Sequence, residues 1–520
     1  MSYCTAYYGT KPVIRLPYGA TGSQWTRPAD WPALPVLAPT DQKFVGLYGV
    51  ENNEGNYVSV LAKCSSGTYT VDWGDGTVDA GCTSGVKKDH WYDYSDADLG
   101  AAMADGYKAA VVTITPDSGN LTKIDLQQKH SLPGLPTTAF NVNWLDIAIN
   151  GPSISILTIG GTTVSLGLLR KFTLGTVAVT SFASLFNGCR MLVSLSPLAS
   201  TAAVTSMGYM FSGCTSLQSI PAFPGSVAAV TDMSYMFYNC YSLQAIPAFP
   251  GSVAAVKNMS NMFSGCTSLQ SIPAFPGSVE AVTNMSNMFY NCYSLQAIPA
   301  FPGSVKAVTA MYQMFYGCYS LQTIPAFPGS VAAVTTMRQM FSNCYSLQTI
   351  PAFPGSVANV TTMYQMFSNC YSLQTIPAFP GSVEAVENMS YMFSGCTSLQ
   401  TIPAFPGSVA AVTDMRQMFT NCISLQTIPA FETNGIASAT PPTEMFSGCR
   451  SLAVGRTNGI RYSVSYDGCK LSAAQLNAIF TGLGTADNAG GQQTVTITGN
   501  YGAATCDQTI ATGKGWTVTN

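Results

Sequence analysis

The 520-residue sequence balances 22 Lys and Arg against 25 Asp and Glu, a formal net charge of −3, and only 9% of it is charged. An average protein is roughly 25% charged, so the surface here is Ser, Thr, Asn, Gln, Gly and Tyr, with no basic stripe for electrostatic nucleic-acid binding. Two histidines, His90 and His130, leave the usual acid–base and zinc chemistry almost without side chains.

The chain begins with residues 1–45, rich in proline and aromatics (Pro12, Pro17, Trp25, Pro28, Trp31, Pro32). Proline at this density sustains neither helix nor central strand, so an extended arm is expected. It either packs on the domain that follows or docks the protein into a larger assembly, with Trp25 and Trp31 as anchors. The first fifteen residues lack the basic-then-apolar layout of a secretory signal. No apolar run approaches the roughly 20 residues of a membrane span, and no membrane insertion is expected.

Over residues 46–118 the pattern shifts to short β-branched and aromatic strands, at Tyr57–Ala62, Thr68–Trp73 and Ala109–Thr115,. Between them lies Val71-Asp-Trp-Gly-Asp-Gly-Thr77, followed by His90-Trp-Tyr92 and Gly106-Tyr107. Gly74 and Gly76 suit a tight hairpin whose free amides Asp72 and Asp75 can cap. A calcium site from Asp72, Asp75 and Asp79 is the weaker alternative to turn capping. Ser95–Gly106 reads as a helix-forming insertion. These marks, in this order, resemble the β-sandwich module of the polycystic-kidney-disease (PKD) type, which implies a spacer or display role.

Residues 119–180 carry four segments of the L-x-x-L-x-L kind, at Leu121–Leu126, Trp144–Ile149, Ile154–Ile159 and Leu169–Leu174. They read as divergent first coils of the array that follows, because terminal repeats face something other than another copy.

Residues 181–450 form that array. Its regular part, Met207 to Asp414, is eight consecutive copies of 26 residues, and a fixed period of this size marks a solenoid. In the copy Met233–Asn258, Met233, Met236, Phe237 and Cys240 follow i, i+3, i+4, i+7 spacing, which predicts a helical turn with one buried face. Leu243–Phe249 is expected as the strand, ended by Pro250-Gly251. Eleven of the 16 cysteines, Cys189 through Cys449, recur at one repeat position. Stacked strands lie about 4.8 Å apart, beyond the 3.5–4.5 Å Cβ separation of a disulfide, so buried free thiols are expected. Cys64 with Cys82, and Cys469 with Cys506, are left as candidate pairs. The unit Met-Ser-x-Met-Phe-x-x-Cys-x-Ser-Leu, as in Met389–Leu399, resembles the leucine-rich repeats of BspA-type bacterial surface proteins. That resemblance implies a solenoid with a β-strand plus a short helical turn per coil, and an adhesin role.

The copies differ mainly at polar and aromatic positions. After the cysteine stand Tyr241, Tyr293, Tyr319, Tyr345 and Tyr371; after the first methionine stand Tyr312, Arg338, Tyr364 and Arg416. Such a vocabulary either binds, as in a paratope, or covers the rod's apolar edges; if it binds, an extended host-surface glycan or a protein suits it.

Residues 451–520 close the chain with a helix expected over Ala473–Leu483, N-capped by Ser472, and strands at Thr494–Thr498 and Gly515–Thr519. Leu471-Ser-x-x-x-Leu476-Asn-x-Ile-Phe480 with Thr496-Ile-Thr-Gly-Asn500 is similar to C-terminal ends of bacteriophage tail or fibre proteins. Together these features favour a non-enzymatic virion surface protein, a fibre, spike or adhesin, without cofactor. It would be assembled in the host cytoplasm, attached to other virion proteins through the N-terminal arm, and open to homo-oligomerisation. The alternatives are a purely structural, decorating virion protein and a bacterial cell-surface adhesin.

Overall fold

The computed structural model describes residues 6–8, 11–13 and 25–520, except 54, 133–141, 162–164, 199–200, 408, 410, 429–443, 453 and 456–458. Part of the N-terminal arm and the end of the last coil therefore lie outside the described residues. Strand β1 (Ala6–Tyr8) pairs antiparallel with β2 (Lys11–Val13).

Next come β3 (Lys43–Val50), β4 (Tyr57–Cys64), β5 (Thr68–Asp72), β6 (Val78–Thr83), β7 (Lys88–Trp91), β8 (Lys108–Pro116) and β9 (Leu121–Asp125). They are joined by β10 (Trp144–Asn150), β11 (Ile156–Thr158), β12 (Lys171–Leu174) and β13 (Ser194–Leu195). One sheet runs β13-β12-β10-β3-β8-β5-β6 and the other β11-β9-β4-β7. The two share a core: Tyr48 of β3 stacks on Tyr92 at 5.6 Å and donates to the Tyr57 carbonyl of β4. Trp144 of β10 meets Phe44 and Tyr48 edge-on, each at 5.4 Å. Gly46 makes room for it, since a Cβ there would stand 2.3 Å from the Trp144 ring.

Both sheets change direction where the coils begin. Strand β10 is antiparallel to β3 but parallel to β12, and β9 is antiparallel to β4 but parallel to β11. Leu121–Leu126, expected as a first coil, is thus also an antiparallel partner within the N-terminal unit. The Ser95–Gly106 insertion holds only a 3-10 turn, Ala97–Leu99, not a helix. Trp31 is buried against Leu47, Met103 and Leu145 of its own chain. Trp25 meets it edge-on at 6.1 Å, and Arg27 ties the segment down through an ion pair with Asp146 at 2.8 Å. The expectation of Trp31 as an anchor for another molecule is therefore corrected; its ring holds the arm to its own domain.

In the regular coils the buried set is as expected, with Met233, Met236, Phe237 and Cys240 all fully buried. The backbone that buries them is not a helix. Tyr235 and Asn239 have φ of 55° and 56°, in the left-handed region, which no α-helix admits. Alternate amides close turns inside the coil, Tyr238 to the Tyr235 carbonyl and Cys240 to that of Phe237, both at 3.1 Å. The amides between them reach the next coil, Tyr235 to Ser260 at 3.0 Å and Phe237 to Met262 at 2.9 Å. The result is a ribbon of consecutive turns hydrogen-bonded along the stacking axis.

The expected strand at Leu243–Phe249 is absent as well. Pro247 and Pro250 supply no amide, so the ladder contacts of this segment fall at Gln244, whose amide bonds to the Gln218 carbonyl at 3.1 Å and whose carbonyl accepts from Gln270 at 3.3 Å,. Bridging instead falls mainly just before the first methionine, where isolated parallel bridges link Asp232 to Asn258, Asn258 to Asn284, and so on to Asp414; the strand position bridges at the end of the array, from Thr401 to Thr427. Two phenylalanine columns run through the stack. Phe186 to Phe446 are face to face at 5.4–5.6 Å. Phe223 to Phe405 are spaced at 5.6–6.3 Å.

At the far end β14 (Thr427–Ile428) pairs with β15 (Val454–Gly455), and β16 (Val464–Ser465), β17 (Thr494–Thr496) and β18 (Thr517–Thr519) form a parallel sheet. Tyr466 takes the place of a phenylalanine, stacked on Phe446 at 5.1 Å. Helix α1 (Ala473–Gly482) starts on a capping box between Ser472 and Gln475, and buries Leu476, Ile479 and Phe480,; α2 (Thr509–Thr512) follows. Among the described residues no helix is long and apolar enough to cross a membrane.

Candidate functional site

Beneath the surface, the cysteine column is chemically quiet. From Cys214 to Cys469 each thiol donates to the carbonyl of the phenylalanine one coil earlier, at 3.0–3.2 Å. That carbonyl already accepts an amide within its own coil, as Phe237 does from Cys240, so both of its lone pairs are used. Burial pushes Cys189, Cys396 and Cys469 up to about 12 and raises the others. Thiols so far from ionisation are neither nucleophiles nor metal ligands at neutral pH. Cys64, Cys82, Cys469 and Cys506 are free, so neither candidate disulfide forms. Cys469 is a twelfth rung of the column, a role its Tyr466-Asp-Gly-Cys469 context, parallel to Phe446-Ser-Gly-Cys449, could have revealed.

The turn after β5 uses its carboxylates itself. Asp72 accepts from the Gly74 amide at 3.0 Å, and Asp75 from the Thr77 amide at 3.0 Å and hydroxyl at 2.6 Å. The second Asp75 oxygen lies 2.7 Å from His90 Nε2, and Asp79 accepts from the Trp73 indole at 3.2 Å. Burial alone would raise Asp75; the Thr77 and His90 hydrogen bonds outweigh it and hold the carboxyl below its usual value. The calcium candidate is therefore corrected: these three side chains cap and brace a turn.

The surface rows follow from the turn ribbon. The residue after the first methionine, the third and sixth residues of the coil, and the residue after the cysteine form adjoining rows along the stack. Tyr235 and Tyr238 of one coil touch edge-on at 5.4 Å, and Tyr364 meets Tyr391 of the next coil at 6.1 Å. Four of the expected tyrosines make one column, Tyr293 on Tyr319 and Tyr319 on Tyr345 at 4.5 Å, and Tyr345 on Tyr371 at 4.8 Å. Beside it Tyr290 stacks on Tyr316 at 4.9 Å. The ring faces inside the column are covered by each other, leaving ring edges and hydroxyls outward.

Tyr241 is exposed but stands between Thr215 and Thr267, outside the column. Tyr312 is exposed, and the Arg338 guanidinium lies 5.3 Å from the Tyr364 ring. Arg416 is neutralised by Asp414 at 2.9 Å. Composition alone missed the row of Gln313, Gln339 and Gln365, whose amides bond to one another at 2.8 and 2.6 Å. Its signal was one amide side chain at one repeat position in three consecutive copies.

No curated protein matches the chain. Among solved structures, it is similar to a leucine-rich cell surface protein from Faecalibacterium prausnitzii, at 20% identity and a TM-score of 0.26 over 50% of this chain and 79% of that one. It is also similar to a leucine-rich repeat protein of Leptospira interrogans, at 12% identity and a TM-score of 0.24 over 72% and 89%. Likeness at this level carries nothing about partners or role. A family model does match the array, at residues 170–275, 227–327, 277–378 and 335–457. Those matches run without a gap over more than half of the sequence, and the chain belongs to the family described as Mycoplasma protein of unknown function, DUF285.

Proposed function

We propose that this protein is a non-enzymatic, surface-exposed adhesin whose stacked coils present the tyrosine rows as the contact surface. One observation carries the reading: near-identical coils keep Pro-Ala-Phe-Pro-Gly-Ser unchanged from one copy to the next, yet vary along the adjoining outward rows. A rod that only spanned distance would have no use for tyrosine columns confined to some coils. The two-sheet unit serves in this reading as a PKD-like spacer, and the ligand is a component of a host surface.

A cell-surface or extracellular location suits such a display rod. The virion reading keeps the same contact face and changes only the carrier; the resemblance of the segment from Leu471 to Asn500 to phage tail proteins favours it. Peptide mass spectrometry on purified particles and on cell-envelope fractions distinguishes the carriers.

The contact surface is tested by replacing Tyr293, Tyr319, Tyr345 and Tyr371 together with Ser. Attachment of the protein to host cells should be lost while the circular dichroism spectrum stays unchanged. Undiminished attachment by a folded variant would refute the proposal.

A further inference from the structure

The rows are not uniform along the rod. The tyrosine column starts after Thr267 and stops before Thr397; Tyr290–Tyr316 and the Gln313–Gln339–Gln365 row fall in the same four coils, Met285 to Asn388. A second observation concerns the backbone beneath the glutamine row. Gln313, Gln339 and Gln365 have φ of 54°, 54° and 51°, while four residues further on the same backbone conformation is met by Asn343 and Asn369 or by Gly317. Left-handed backbone costs a residue other than Gly or Asn about 1–2 kcal/mol. Asn261 holds the glutamine position before the four coils, Asn287 in the first of them, and Tyr391 and Gln417 beyond them, so the backbone does not require glutamine there.

The chemistry left outward is specific. Ring faces are hidden within the column, which leaves phenol hydroxyls, amides, and ring edges, the positive part of the aromatic quadrupole. Arg338 makes its cation–π contact and, among the described residues, no ion pair. On these rows the four coils carry no carboxylate. The patch is therefore rich in donors and carries one cation, Arg338, among the described residues of these rows. A protein partner would look for aromatic faces and pockets as anchors; an oxygen-rich chain looks for donors in series.

Resting on the adhesin reading above, we propose that the turn face of these four coils binds a linear, carboxylate-bearing polysaccharide laid along the stack. Arg338 pairs with an acidic group, and the tyrosine hydroxyls and glutamine amides bond to the sugar oxygens. The footprint is four rungs long, so affinity is fixed by these coils and not by the total number of repeats.

Calorimetry on the full chain with oligogalacturonates of increasing length, and with neutral maltooligosaccharides, tests this. Excising one whole coil leaves its neighbours able to stack, so two excisions are compared, residues 233–258 outside the patch and 311–336 inside it. The outer excision should leave affinity for the acidic oligomers unchanged, and the inner one should lower it by about tenfold, as should Arg338→Gln. Equal binding of neutral and acidic oligomers, or an inner excision without effect, overturns the assignment. Absence of binding to either sugar, where the tyrosine-to-serine variant has lost cell attachment, also overturns it and points to a protein ligand, leaving the adhesin reading intact. If attachment itself ignores the tyrosines, both fall.

Discussion

Alkaline unfolding tests the thiol column most directly. Twelve buried thiols, Cys189 through Cys469, occupy successive rungs, and burial raises each above the ordinary value of 9.0, to about 12 for Cys189, Cys396 and Cys469. A group raised by folding stabilises the native state fully below its unfolded value, and that contribution is lost as pH climbs from there toward the folded value. At pH 10 the folded thiols stay protonated while unfolded ones ionise, which favours unfolding by about 1.4 kcal/mol for each thiol. Over twelve rungs the total is near 17 kcal/mol, above the roughly 5–15 kcal/mol of a typical domain. The array should therefore melt cooperatively between about pH 9 and pH 10.5, followed by far-ultraviolet circular dichroism under reductant. Replacing Cys292, Cys318, Cys344 and Cys370 with Ser keeps a donor for each phenylalanine carbonyl and removes about 6 kcal/mol of that pH dependence. An array that holds its spectrum to pH 12, or a serine variant with the same midpoint, would refute the reasoning.

Phe315→Ala should destabilise by about 3–5 kcal/mol, because its ring is fully buried and stacked on both sides at 5.5 Å; hydrogen exchange should show protection lost in the adjoining coils first. Gly46→Ala drives a methyl into the Trp144 ring and should cost about 1–3 kcal/mol, read as a lower melting temperature of the two-sheet unit. Asp75→Asn removes the carboxylate that Thr77 and His90 hydrogen-bond. The wild-type contribution is present above the carboxyl's ordinary value of 3.8 and lost as pH falls through the lower folded value, so the variant should show a flatter acid limb between about pH 4 and pH 2.

The period, the inward residues and the free thiols were legible because copies within one chain mark what every coil must keep. The backbone was not. Met233, Met236, Phe237 and Cys240 have the spacing of a helical face, yet a ribbon of consecutive turns buries the same set. The discriminating signal was Asn239 and its counterparts, which are only Asn or Gly in the regular copies, the residues that tolerate left-handed backbone. The strand at Leu243–Phe249 failed on Pro247, whose missing amide breaks a ladder that apolar alternation alone suggested. For the contact surface, the tyrosines could be read as exposed. That their faces cover one another became visible only with the 4.5 Å column, and it changes the expected ligand from one that stacks to one that hydrogen-bonds.

The hydrogen bonds that join coils, such as Tyr235 to Ser260 and Phe237 to Met262, point along the rod. A force applied between the chain ends meets them one coil at a time, peeling the outermost turn while the rest holds. Each released coil of 26 residues adds about 85–95 Å of extended chain. An array built this way should lengthen in steps under load and restack when the load falls, seen as evenly spaced steps in a force–extension trace.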